Sequence, residues 1–164
     1  MYSSPNQMFD HKDFVTLIPL RGGSKGIPKK NLRILNKLPL YHYVINASLN
    51  AKLKTCISTE DAHIKKDCTK YFNSVKIIDR PIELAKDHST TEDVIKHFLE
   101  VEDCIKHIVL LQATSPLTTA QDINMAINQY IKNSFSPLIS PERLSPDIQM
   151  ILWAGGLYGL NSVC

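Results

Sequence analysis

Phe14-Val15-Thr16-Leu17-Ile18, running straight into Pro19-Leu20-Arg21-Gly22-Gly23-Ser24-Lys25-Gly26-Ile27-Pro28-Lys29-Lys30-Asn31, decides how the chain is read. The first five residues are apolar and partly β-branched, and a turn rich in glycine and proline ends them. That is the pattern of a buried strand. Three of the chain's 6 glycines fall in this turn. Glycine admits backbone conformations closed to other residues and lets the main chain approach a ligand closely. Successive backbone N–H groups at Gly22, Gly23 and Ser24 can then form an anion-binding concavity. Arg21 offers a bidentate fork for phosphate, and Lys25 adds a mobile point charge. Asn31 both donates and accepts, which suits a base edge or a ribose hydroxyl. The turn is neither a P-loop, G-x-x-x-x-G-K-[ST], nor a G-x-G-x-x-G fingerprint. A solvated surface turn is the bland alternative, and the order strand, glycines, cations argues against it.

Outward from this stretch, apolar runs alternate with helix-like segments. Leu40 to Leu49 repeats apolar residues at helical spacing, and Leu53 to Ile57 reads as a strand. Ser58-Thr59-Glu60-Asp61 supplies caps for a helix running to about Tyr71. Val75 to Ile78 is a third strand, and Thr90-Thr91-Glu92-Asp93 opens a helix bearing Val94, Ile95, Phe98 and Leu99. His107-Ile108-Val109-Leu110-Leu111 is a continuous apolar run, as expected of a strand covered on both faces. Thr119 to Ile131 is amphipathic, and Pro137 to Ser140 reads as a short strand. The alternation predicts an α/β fold: an open, mostly parallel sheet with helices on both faces. In such sheets ligands bind outside the carboxyl ends of the strands.

Composition agrees with one domain. The chain has 164 residues, 43% hydrophobic and 21% charged, with a formal net charge of +3. The reading is a disordered lead-in over residues 1–13 and one nucleotide-binding domain over 14–164. No apolar stretch approaches the roughly 20 residues of a membrane-spanning helix, and the lead-in lacks the marks of a targeting peptide. The small basic excess leaves no footprint for nucleic acid. The 4 cysteines are scattered, which argues against a disulfide framework or a zinc site. A reducing, cytoplasmic setting is the expectation.

Two more loops carry unusual chemistry. After the third strand, Asp79 to Thr91 combines Arg80 with the hydroxyls of Ser89, Thr90 and Thr91. These suit hydrogen bonds to a base or sugar, or simply a cap for the next helix. After the central strand, Gln112-Ala113-Thr114-Ser115-Pro116 sets the Gln112 amide where it could read a base edge, or forms an ordinary turn. Asp61 is either a helix cap or a metal ligand.

At these residues the sequence resembles the N-acylneuraminate cytidylyltransferases (CMP-sialic acid synthetases). Arg21 to Pro28 with Lys30-Asn31 looks like the family's opening signature. Ser58-Thr59-Glu60-Asp61 resembles its S-T-D segment, Arg80-Pro81 through Asp87 its R-P-x-x-L-A-x-D stretch, and Leu111 to Pro116 its L-Q-x-T-S-P motif. The likeness runs in family order from about Val15 to Ile139. It implies a Rossmann-like nucleotidyltransferase fold and a reaction of CTP with a nine-carbon 2-keto sugar acid, giving the CMP-sugar and pyrophosphate. Arg21 and Lys25 would hold the triphosphate as the catalytic cations, helped by Gly22, Gly23 and Ser24. Asn31, Arg80, Ser89, Thr91 and Gln112 would contact CTP, mainly its cytosine and ribose. Mg²⁺ would bridge phosphates and acidic side chains, and full-length relatives would be homo-oligomers. An animal origin would admit a nuclear address.

After Ile139 the likeness decays. The family's later R-R-Q and D-x-D segments have no counterpart, so the resemblance assigns no metal carboxylate to this chain and reads it as truncated at the C-terminus. Two alternatives stay open: a CTP-binding fragment without catalysis, and a cytidylyltransferase for 3-deoxy-manno-octulosonate, pseudaminate or legionaminate.

Overall fold

A computed structural model describes residues 11–23, 29–132 and, through their backbone, 150–154. The elements in order are β1 (Phe14–Pro19), β2 (Ile34–Leu35), β3 (Leu38–Pro39), α1 (Leu40–Asn50), β4 (Lys54–Thr59), α2 (Ala62–Tyr71), β5 (Val75–Asp79), α3 (Thr91–Val101), β6 (His107–Leu111), α4 (Ala120–Lys132) and β7 (Met150–Ala154). Short 3-10 turns cover His11–Asp13, Lys30–Leu32 and Ile82–Ala85. The main sheet has the order β5-β4-β1-β6-β7. β1 pairs in parallel with β4 and β6, and β4 with β5. β7 runs antiparallel to β6.

Alternation along β1 builds a core on each face of the sheet. Phe14 and Ile18 join Val44, Ile45, Ile64, Ile123 and Ile127 from α1, α2 and α4. Val15 and Leu17 join Phe98 of α3, with Ile78, Ile108 and Leu110. The open, mostly parallel sheet with helices on both faces is therefore the fold. β1 is wholly covered, which explains why it reads as a continuous apolar run rather than an alternating one.

One polar group is built into the larger core. The Ser48 hydroxyl of α1 donates to Thr16 Oγ1 of β1 at 2.7 Å and meets Thr55 Oγ1 of β4 at 2.7 Å. All three residues are fully buried. This explains why serine and threonine interrupt otherwise apolar strands: each hydroxyl answers another.

Three features depart from the sequence reading. Ile34–Pro39 forms a two-stranded antiparallel hairpin, β2–β3. Its turn residues Asn36 and Lys37 have φ of 42° and 75°, the left-handed pair that fits the twist of a tight hairpin. Asn36-Lys37 lacks the glycine that usually announces such a turn. β7 was not foreseen either. Finally, Cys104 is disulfide-bonded, where the scattered cysteines argued against a disulfide framework. Cys56 and Cys68 are free and buried. The strand expected at Pro137–Ser140 and most of the expected lead-in lie outside the described residues.

Candidate functional site

The strand order places a topological switch between β1 and β6, because the chain moves from β1 to β4 and β5 on one side and returns to β6 on the other. Loops leaving β1 and β6 there diverge and leave a crevice. A cleft of about 330 Å³ opens at that end, lined by residues following β1, β5 and β6.

Of the residues singled out from sequence, Arg21, Gly23, Asn31, Arg80, Ser89, Thr91 and Gln112 all line this cleft. Ser24 and Lys25 fall outside the described residues. Gly22 is not in the lining. Its N–H donates to Glu60 Oε1 at 2.7 Å, so that donor faces the β4–α2 loop rather than the cleft. The side chain of Glu60 was not singled out from sequence, although it lies in the quoted Ser58–Asp61 segment.

Each side chain is held by its neighbours. Asn31 Nδ2 donates to the Arg21 carbonyl at 3.0 Å, closing the glycine-bearing turn across its base. The Arg21 guanidinium reaches over the cleft to Asp87, Nη1 to Oδ1 at 3.1 Å. Arg80 is 6% exposed. Its Nε donates to Ser58 Oγ at 3.1 Å and its Nη2 to the Ser58 carbonyl at 2.6 Å. The same carbonyl accepts Leu20 N–H at 2.9 Å. Ser58 thus ties together the ends of β1, β4 and β5, and Arg80 is first a structural tie. Burial pulls the Arg80 pKa below the usual arginine value. Glu60 opposes this and Arg21 adds to it. An arginine so placed still carries its charge.

The remaining polar residues divide between capping and the cleft. Thr90 caps α3 in a capping box with Asp93, while Ser89 Oγ donates to the Glu83 carbonyl at 2.8 Å. Of the hydroxyls that could cap, Thr90 does so and Ser89 braces the loop. Asp61 caps α2, its Oδ1 accepting from His63 and Ile64 N–H at 2.8 and 3.1 Å. Gln112 Oε1 accepts a bond from Thr114 Oγ1 at 3.5 Å, and both residues line the cleft. Sequence reasoning missed Lys30 and Lys86, which line the same cleft. Both stood in the loops already quoted. Their clue was that two more cations fell among the loops converging on one strand end.

Arginine and lysine dominate the charged lining, with Asp87 as its carboxylate. The arrangement can bind a polyanion through Arg21, Lys30 and Lys86 and present hydroxyl and amide groups to an uncharged ring or sugar. For the Mg²⁺ that the resemblance implies, the described lining of the cleft offers one carboxylate, Asp87. Among the described residues no three carboxylate, histidine or cysteine groups gather to hold a metal, and Asp87 is engaged with Arg21. No step is therefore assigned to magnesium on these residues.

Known proteins resemble this chain in sequence and in fold. A family model described as cytidylyltransferase matches residues 15–152. Among curated relatives, an N-acylneuraminate cytidylyltransferase B of Danio rerio is 32% identical over 134 residues, covering 81% of this chain and 31% of the relative. The N-acylneuraminate cytidylyltransferase of Streptococcus agalactiae serotype V is 30% identical over 130 residues, again covering 31% of the relative. The chain thus spans under a third of the length of the curated relatives it matches. Among solved structures, a cytidylyltransferase from Leptospira borgpetersenii superposes with a TM-score of 0.66 at 15% identity, over 88% of this chain and 61% of that one. A CMP:2-keto-3-deoxy-manno-octonic acid synthetase complexed with CTP gives 0.61 at 20% identity, over 76% of this chain and 49% of that one. These two likenesses concern the fold. By its sequence match and its sheet, the chain belongs to the cytidylyltransferase family.

Proposed function

We propose that the cleft binds CTP and that this chain is the nucleotide-binding part of an N-acylneuraminate cytidylyltransferase. The observation that carries the reading is the convergence of Arg21, Asn31, Arg80, Ser89, Thr91 and Gln112, far apart in sequence, on one cleft at the switch point of the sheet. In this reading the triphosphate lies along the glycine-bearing turn, held by Arg21 and Lys25. Asn31, Ser89, Thr91 and Gln112 meet the cytosine and ribose. Arg80 supports them through Ser58, and its charge adds to the potential of the cleft.

The reaction joins the anomeric hydroxyl of a nine-carbon 2-keto sugar acid to the α-phosphate. An O–Pα bond forms in line, the bond from Pα to the bridging oxygen breaks, pyrophosphate leaves and the hydroxyl proton is released. Little covalent chemistry falls to the protein. Its part is positioning and neutralising charge on the phosphates.

The test is incubation of the protein with CTP, magnesium and N-acetylneuraminate, followed by detection of CMP-sugar. Turnover supports the full reading. Calorimetric CTP binding without product selects the binding-fragment alternative. Preference for 3-deoxy-manno-octulosonate, pseudaminate or legionaminate over N-acetylneuraminate overturns the choice of sugar. Neither binding nor turnover discards the reading.

A further inference from the structure

The one carboxylate among the described charged residues lining the cleft stands where an anion site should least tolerate it. Asp87 follows the 3-10 turn Ile82–Ala85 and faces the turn after β1 from across the cleft. Its Oδ1 accepts from Arg21 Nη1 at 3.1 Å. The two side chains are partly open to solvent, 36% and 43% exposed. Both loops are braced. Ser89 N–H donates to the Lys86 carbonyl at 3.1 Å, and Ser89 Oγ to the Glu83 carbonyl at 2.8 Å, which pins the backbone on either side of Asp87. Asn31 pins the Arg21 backbone. The pair therefore joins two pinned backbone segments, at Arg21 and around Asp87, through two side chains that solvent can reach.

We propose that Asp87 is a latch on Arg21 and tunes the cleft by ligand charge. Its carboxylate holds the guanidinium over the cleft, and an entering polyphosphate must take Arg21 from it. This rests on the cleft being a polyphosphate site, and deepens that reading. An exposed pair of this kind is weak, so a triphosphate displaces it readily while a singly charged ligand does so poorly. The latch accordingly lowers affinity for every anionic ligand, and lowers it most where the guanidinium has to move furthest from Asp87 toward phosphate. Asp87 is a positioning residue here and takes no part in bond making.

The experiment is isothermal titration of wild type, Asp87→Asn, Arg21→Ala and the double variant with CTP, CMP, cytidine and inorganic tripolyphosphate at low and high salt. Asp87→Asn is expected to tighten CTP and tripolyphosphate by roughly twofold to fivefold, the scale of an exposed ion pair. CMP should gain less and cytidine nothing. The gain should shrink in the Arg21→Ala background and at high salt. Weaker triphosphate binding by Asp87→Asn, an equal effect on cytidine, or the same gain without Arg21 would each overturn the latch. Circular dichroism melting of each variant separates a folding defect from these outcomes. If tripolyphosphate responds as described and CTP binds no better than tripolyphosphate, the latch stands and the cytidine reading falls. If no polyphosphate binds, both fall.

Discussion

Gly22 has no room for a side chain. A Cβ there would lie 2.3 Å from Asp61 Oδ2, and the same Asp61 carboxylate caps α2. Glycine at this position is therefore set by close packing of the turn on the helix cap. The expectation from sequence was a backbone donor to phosphate, and a glycine beside cations looks the same either way until the partner loop is placed. Gly22→Ala should force Asp61 from its cap and cost about 1–2 kcal/mol of stability, the scale of a lost N-cap. Urea unfolding measures it, and an unchanged midpoint would show that the turn shifts freely. Arg80 teaches a similar lesson. Its residue type suggested ligand contact, while its burial and two bonds to Ser58 make it a tie first.

At the level of elements, the sheet and its helices were legible because each strand is short and apolar and each helix after β4 begins at a capping residue. β2–β3 and β7 were not, since two-residue strands carry no periodicity and β7 breaks the parallel alternation by pairing antiparallel with β6. The buried Thr16–Ser48–Thr55 set joins α1 to the two central strands. Ser48→Ala takes from buried Thr16 its bond to the Ser48 hydroxyl and leaves Thr55 its bond to the Leu53 carbonyl, and should cost about 1–3 kcal/mol, read from the same urea curves. Glu102, at the end of α3, is 5% exposed and paired with Lys54 at 3.0 Å and with Lys76. Burial pushes its carboxyl up, but the two lysines outweigh it and hold the pKa below the usual 4.5. A carboxylate with a depressed folded pKa contributes stability that is present above the unfolded value and is lost as pH falls through the folded one. Stability should therefore drop as pH is taken below about 4.5, and Glu102→Gln should flatten that part of the curve. An identical acid limb in the variant would contradict the assignment.

Across the whole molecule, two buried thiols report on the integrity of both cores. Cys56 faces α3, and Cys68 faces the core under α1 and α2. Burial raises Cys56 to about 11 and Cys68 to about 12. Thiolate is the reactive form, so neither should label with N-ethylmaleimide near pH 7.5 until the protein unfolds, and mass spectrometry of native and urea-treated samples checks this. Labelling of native Cys56 or Cys68 would show that a core opens locally. At this scale the cleft itself was legible from sequence in outline, because strand ends dictate where loops converge. Its finer wiring was not, since Arg21 to Asp87 and Arg80 to Ser58 join loops whose relative placement only the sheet order sets. The account rests on the turn after β1 holding the phosphates of a cytidine nucleotide. Calorimetric titration of wild type and Arg21→Ala with CTP tests it most directly. The account predicts saturable binding that weakens by about 1.5–3 kcal/mol in the variant, as for a hydrogen bond to a charged group, and equal dissociation constants for the two proteins would contradict it.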